Sequence, residues 1–363
     1  MRTIAAVALA ALVGAYALSD RPAAAPVSTV GASFTTIGPL AFGPGNVLFA
    51  ADTDAAAIIA LELSGPAGVP GVKAVADLDQ KLAALLGTTP AAIAVTDMAV
   101  QPGSRNAYLA VMRGQGAEAK AALVRLDGAG TLTLVALDQT AFTKAGLPNA
   151  PANAPTERRN PRTQSITDMV FHDGQLLVAG LSNEEFSSKL RAVKYPFSAV
   201  DAGTSVEIFH GNHGQVETRS PVYTLVPYKV GGTPHLIAGY LCTPLVTFPA
   251  SVVTTGGKVR GTTIAELGNR NRPIDMFVYS QAGKDYLLMS NTSRGVMKIP
   301  TATFAAAAPI TAPVKEEKAG VGYETIASLQ GVEQMDLFDA SRALVLSRAT
   351  AGGALGVDLV PLP

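Results

Sequence analysis

The chain has 363 residues, of which 48% are hydrophobic and 15% charged, so it can build a large core and has too little charge for extended disorder. Lys plus Arg and Asp plus Glu each total 28, giving zero formal net charge, which argues against nucleic acid as a partner because polyanion binding needs a basic excess. The absence of Trp and an aromatic content of 6% argue against a surface that stacks on sugars or bases.

The N-terminus reads Met1-Arg2-Thr3, then an apolar run over 4–18, then Ser19-Asp20-Arg21-Pro22 and a cluster of alanines. This order fits a secretory signal peptide over residues 1–25, with Ala15-Tyr16-Ala17 or Ala23-Ala24-Ala25 as the cleavage site. An uncleaved N-terminal anchor is the alternative, although the run is short for a bilayer span. Residues 26–363 then form a single domain, periplasmic or secreted, with no membrane span in the mature chain. Cys242 is the only cysteine, so no intramolecular disulfide can form, and its apolar setting predicts a buried thiol.

Short apolar runs broken by Gly and Pro turns follow in regular succession. The first unit has a β-rich lead-in at 27–37 and strands near 38–42, 46–50, 57–63 and 72–78. A short helix should follow, capped by Asp77 or Asp79, with Leu78, Leu82, Leu85 and Leu86 as its apolar stripe. Further strands are expected at 96–100, 107–112, 121–126 and 131–137 in the second unit, and at 166–172, 176–180, 189–194 and 205–209 in the third. The fourth unit gives 222–227, 235–240, 244–248 and 261–266, and the fifth 274–279, 286–290, 295–299 and 323–328. The sixth supplies only 334–338, 343–347 and 355–360.

One stretch recurs: Val95-Thr96-Asp97-Met98, Ile166-Thr167-Asp168-Met169 and Pro273-Ile274-Asp275-Met276, each leading into a turn and a second apolar run. Repetition at this period, with strands as the unit, predicts an all-β fold: a six-bladed β-propeller of four-stranded blades. The segment Ala32-Ser33-Phe34-Thr35-Thr36-Ile37 resembles the fourth strands near 262 and 324. It is therefore expected to complete the last blade and close the ring, removing an unpaired edge. Pro196, Pro249 and Pro300 recur after third strands, where Pro ends a strand. Insertions fall at 145–162, 207–221 and 305–322, the last read as a mobile excursion.

Gly38-Pro39-Leu40-Ala41-Phe42, followed by Gly45-Asn46-Val47-Leu48-Phe49-Ala50-Ala51-Asp52, resembles the six-bladed propellers of the NHL-repeat and gluconolactonase-like families. The resemblance covers most of the mature chain as blade pattern. In the gluconolactonase-like enzymes it implies metal ligands at inner-strand starts, beginning with a Glu before the Gly-Pro pair; this chain carries Ile37 there.

If the inner strands are equivalent, Pro39, Asp97, Asp168, Tyr223, Asp275 and Gln334 ring the channel. Converging carboxylates repel unless a cation, arginines or protons intervene. Asp97, Asp168 and Asp275 could together hold a hard cation such as calcium, or each could cap its own blade with help from hydroxyls such as Thr96 and Thr167. The connections opening on one face carry Arg158, Arg159, Arg162, Arg219, Arg270 and Arg272, together with His210, His213, Glu217, Glu333 and Gln334. Arginines around a channel mouth, with Tyr223 and Gln334, suit a small anionic ligand; alternatively they tie blades together. His210-Gly211-Asn212-His213 with Glu217 offers a weaker transition-metal motif, while His172 and His235 read as surface residues.

Two functions compete. One is an exported propeller binding a small polar or anionic ligand, or a protein partner, on the channel face. The other is a calcium-type hydrolase or lactonase in which the channel aspartates hold the cation and Glu333 acts as general base. A quinone-cofactor dehydrogenase is compatible with the fold, with no motif behind it.

Overall fold

The computed structural model describes residues 28–363 apart from 65–67, 157–159, 255 and 351. The leader reading of residues 1–25 lies outside the described residues. Six sheets, antiparallel apart from Lys258–Arg260 pairing in parallel with Thr204–His210, form six blades, numbered here by the chain order of their inner strands: Leu40–Phe42, Ile93–Val100, Asp168–His172, Val222–Val230, Pro273–Gln281 and Val332–Leu337. Each inner strand pairs with a second strand that is apolar over most of its length. Leu109, Ala110 and Val111 of blade 2 and Leu287, Leu288 and Met289 of blade 5 have no solvent exposure. Strands buried on both faces read as continuous apolar runs, which is why the repeat was visible in the sequence.

The core is divided into six clusters, one in each gap between neighbouring blades. These clusters reveal an order around the ring that differs from the order in the chain. Blade 1 packs against blade 3 through Phe49, Ile58, Leu176 and Val178, and against blade 2 through Leu48, Ile59, Tyr108 and Leu123. Blade 2 in turn packs against blade 6 through Leu109, Val124, Leu344 and Leu346. Around the ring the blades therefore run 3, 4, 5, 6, 2, 1, and blades 1 and 2 are exchanged relative to a simple sequential propeller.

The connections make this route possible. After the third strand of blade 1, Ala57–Glu62, the chain crosses blade 2 and docks Val75 on Val357 of blade 6. It then forms the helix Leu78–Leu86, whose Leu78, Leu82 and Leu86 fill the gap between blades 6 and 2. Leu85 is 39% exposed, and Asp77 at the N-cap makes no side-chain cap bond; Asp79 pairs with Arg348 instead. From blade 2 the chain returns to blade 1 as Ala141–Gly146, the fourth strand there; the sequence pattern places no strand at 141–144 and starts an insertion at 145.

The ring closes differently from the expectation. Among the described residues, the first strand, Thr29–Val30, pairs with Ala141–Gly146 at the rim of blade 1. The free edge of blade 6 is met by Val75 rather than by 32–37. Counting strands could not find this, because any β-rich segment supplies the same ladder groups and only the route of the chain decides which edge it reaches.

The 305–322 segment is not a loose excursion. Phe304 and Val321 are buried, Ile310 N–H donates to the Thr263 carbonyl at 2.8 Å, and Ala319–Gly320 adds a fifth strand to blade 4. Cys242 is also not buried in a strand. It is partly exposed in the three-residue connection between the second and third strands of blade 4, where Thr243 N–H donates to the Tyr240 carbonyl at 2.8 Å and Cys242 and Thr243 have φ of 63° and 58°.

Candidate functional site

The inner strands enclose a cavity of about 240 Å³ lined by Asp97, Asp168, Asp275 and Asp336 among apolar residues. The repeated Asp-Met stretch places its aspartates on the inner strands, where a side chain can look into the channel while reaching the next blade. Asp168 accepts the Met169 N–H through Oδ1 at 2.7 Å and the Leu225 N–H of blade 4 through Oδ2 at 2.6 Å. Asp97 does the same with Met98 at 2.8 Å and with Leu40 of blade 1 at 2.5 Å. Asp336 takes Leu337 at 2.7 Å and Val100 of blade 2 at 2.7 Å. Asp275 Oδ2 accepts Met335 N–H of blade 6 at 2.6 Å.

Every bond points the same way around the ring, from 3 to 4, 5 to 6, 6 to 2 and 2 to 1. The threonines follow. Thr167 Oγ1 donates to the Val222 carbonyl at 2.5 Å and Thr96 Oγ1 to the Ile37 carbonyl at 2.6 Å. The aspartates thus do more than cap their own blades: in Asp97, Asp168 and Asp336 one oxygen serves the blade that carries it and the other latches the neighbour, and Asp275 latches blade 6. The repeat is a latch repeat. Among the described residues, the one group of three or more His, Cys, Asp or Glu side chains whose ligand atoms converge within 4.8 Å is His210, His213 and Glu217, away from these aspartates.

Burial pushes Asp168 up to about 7 and Asp336 up to about 6, against the pull of the backbone N–H bonds. Asp97 and Asp275 are also raised well above the usual carboxylate range, by burial first and then by repulsion from the other channel carboxylates. Burial thus favours the protonated form of all four channel carboxyls.

Two channel residues escaped sequence reading. A β-bulge between Val222 and Thr224 shifts the blade 4 register by one, so Thr224, not Tyr223, lines the cavity. Asp336 lies two residues beyond Gln334, on the same strand face; that period of two was the available signal. Gln334 donates to the Thr96 carbonyl at 3.2 Å, another tie from blade 6 to blade 2.

The expected arginine mouth is only partly assembled. Arg158 and Arg159 lie outside the described residues. Arg162 is a structural tie, donating to the carbonyls of Pro151 at 2.6 Å and Asp54 at 3.1 Å. Glu333 pairs with Arg348 at 2.8 Å, so a neighbouring guanidinium holds the carboxylate proposed as general base. His213 joins His210 and Glu217 on the hairpin after blade 3. What does converge is an array at the starts of three successive inner strands: Gln164 Nε2 donates to Tyr223 Oη at 2.7 Å, and the Arg272 guanidinium lies 5.6 Å over the Tyr223 ring. Arg219 and Arg270 are exposed on the same set of connections. His172 is exposed and His235 sits beside it on the rim of a separate surface cavity, as expected of surface residues.

No protein-family model matches the chain, and no curated protein does. Solved structures with some likeness include a thermostable family-43 glycoside hydrolase, at 10% identity over 75% of this chain and 90% of that one, with a TM-score of 0.41. A glucose dehydrogenase is 12% identical over 93% of this chain and 99% of its own, with a TM-score of 0.37. The PQQ-bound aldose sugar dehydrogenase of Streptomyces coelicolor is 12% identical over 92% of this chain and 96% of its own, with a TM-score of 0.31. Likenesses this distant do not bear on chemistry; the six-bladed propeller rests on the strand pairing described above.

Proposed function

We propose that the protein is an exported propeller that binds a small polar, anionic molecule on its channel face. The observation that carries this reading is the Gln164–Tyr223–Arg272 array, in which a guanidinium is held over an aromatic ring at the mouth of an aspartate-lined channel. A planar guanidinium lying over an aromatic ring can offer paired N–H donors to a carboxylate. The aspartates beneath, whose burial favours the protonated form, would accept or donate hydrogen bonds to hydroxyl groups on the same ligand. The hydrolase alternative finds no such support, since the aspartates are engaged as latches and Glu333 is paired with Arg348.

Titration calorimetry with citrate, succinate and gluconate tests the reading. Arg272→Ala, an exposed change, should weaken binding of the preferred acid about tenfold or more, roughly 1.4 kcal/mol. Affinity should also fall from pH 5.5 to pH 8, because ionising Asp168 and Asp336 places negative charge below the bound anion. No binding by any acid, with a protein captured at this face instead, would replace the small ligand with a protein partner.

Export follows from the Met1-Arg2-Thr3 leader pattern. Intact mass of the protein recovered from a secreting bacterial host should correspond to a chain beginning near Leu18 or Pro26. A retained Met1 in the soluble fraction would remove the export part of the proposal.

A further inference from the structure

We propose that His210, His213 and Glu217 form a binding site for a zinc-type divalent metal ion at the outer edge of the channel face, independent of the channel mouth. His210 ends the fourth strand of blade 3, Thr204–His210, which turns back through Gly211–Gly214 into Gln215–Glu217. Pairing of His210 with Gln215 and of Ile208 with Glu217 makes His210 and Glu217 diagonal neighbours on one face of this hairpin, and the turn brings His213 over them.

The ligand atoms of the three residues lie within 4.8 Å of one another. Nδ1 of His210 is 3.1 Å and Nδ1 of His213 2.5 Å from the same Glu217 oxygen, and the two rings face each other with centroids 3.8 Å apart. Two imidazole nitrogens and a carboxylate oxygen converging on one point are the nitrogen and oxygen donors zinc takes.

The surroundings point to the same chemistry. His210 is 1% exposed, yet neither of its ring nitrogens has a properly directed hydrogen bond. Such a buried polar group is costly unless something occupies it. On the far side of the ring, His210 Nε2 is 3.7 Å from Oε2 of Glu266, which also lacks a partner, while Oε1 of Glu266 is fixed by the Gly211 N–H at 2.6 Å. A carboxylate behind an imidazole whose other nitrogen faces the metal is the usual means of fixing ring orientation and tautomer.

The 305–322 segment braces the hairpin. Val314 N–H donates to the Gly211 carbonyl at 2.9 Å and Asn212 Nδ2 to the Glu316 carbonyl at 2.9 Å. His213 stays 47% exposed, leaving a path for the ion and room for a fourth, water ligand. Three protein donors and an open position form the pattern of a reactive or exchangeable zinc centre rather than a closed structural one.

The test is titration of chelator-treated, dialysed full-length mature protein with Co²⁺, then with Zn²⁺. The wild type should develop the visible d–d absorption of low-coordinate cobalt, saturating near one equivalent and erased by zinc, and zinc should raise its Tm. His213→Ala should lose both responses while its metal-free Tm stays unchanged, since that side chain is half exposed. Glu266→Gln should weaken zinc about 10–100-fold while retaining the cobalt spectrum. Absence of cobalt bands in the wild type, or bands and a zinc response that survive in His213→Ala, would overturn the proposal and leave the cluster as a histidine–glutamate ion-pair network.

Discussion

Asp168→Ala should cost about 2–4 kcal/mol of folding free energy at pH 5, measured by denaturant unfolding, because it leaves two buried N–H donors without acceptors. Those donors are the N–H groups of Met169 and Leu225, on residues 4% and 3% exposed, in adjacent blades. The cost should shrink at pH 8. The folded-state value of Asp168 is raised from 3.8 to about 7, and that of Asp336 to about 6. A carboxyl with a raised folded value contributes stability that is complete below its unfolded pKa and disappears as pH climbs through the folded one. Wild-type stability should therefore decline between pH 5 and pH 8, and Asp168→Asn, which cannot ionise, should show a shallower decline. A stability that rises over this interval, or an equal slope in the variant, would mean that the latch carboxylates ionise freely in the folded channel.

Phe49→Ala should cost about 3–5 kcal/mol, the range for emptying a fully buried aromatic site. Its diagnostic value lies in what Phe49 touches. The ring stacks on Phe171 at 5.7 Å and meets Tyr195 edge-on at 5.1 Å and Phe197 at 5.9 Å, all on blade 3. A double-mutant cycle with Phe171→Ala should return a coupling of about 0.5–1.5 kcal/mol. Pairing Phe49→Ala with Leu109→Ala, in the cluster between blades 2 and 6, should be additive within about 0.5 kcal/mol. A simple sequential ring, with blade 1 beside blades 6 and 2, predicts no coupling across the Phe49–Phe171 pair, so the cycle decides between the two blade orders.

The sequence held the repeat, its strands and its turns because each is a local demand. The latch needs an Asp on the channel side of an inner strand, the second strand needs an unbroken apolar run, and the third ends at or just before a Pro in blades 3, 4 and 5. These needs recur in blade after blade and leave the same marks at Asp97, Asp168 and Asp275. The helix at Leu78–Leu86 was legible for the same reason: Leu78, Leu82 and Leu86 share one face by periodicity alone.

The candidate sites were legible as residues, less so as groupings. Tyr223 and Arg272 stood out as an aromatic and a cation on channel-face connections, but their stacking depends on two separate blades. The bulge that turns Tyr223 away and brings in Thr224 adds one residue to a strand without changing its composition, so counting positions could not detect it. His210, His213 and Glu217 could be seen as a motif, yet Glu266 comes from the next blade, and the sequence gives no sign that it stands behind the His210 ring.

By itself, then, the sequence determined the class of fold, the number of blades, the strand alternation and the residue types available on the channel face, since all of these are set by neighbours within a few positions. Only the tertiary structure decided that blades 1 and 2 exchange places, that Ala141–Gly146 returns to blade 1, and that Val75 meets the edge of blade 6. Backbone ladder groups are the same in every strand, so which edge a strand joins is settled by the reach of the connections and by which apolar faces fill which gap, and both depend on the whole ring at once.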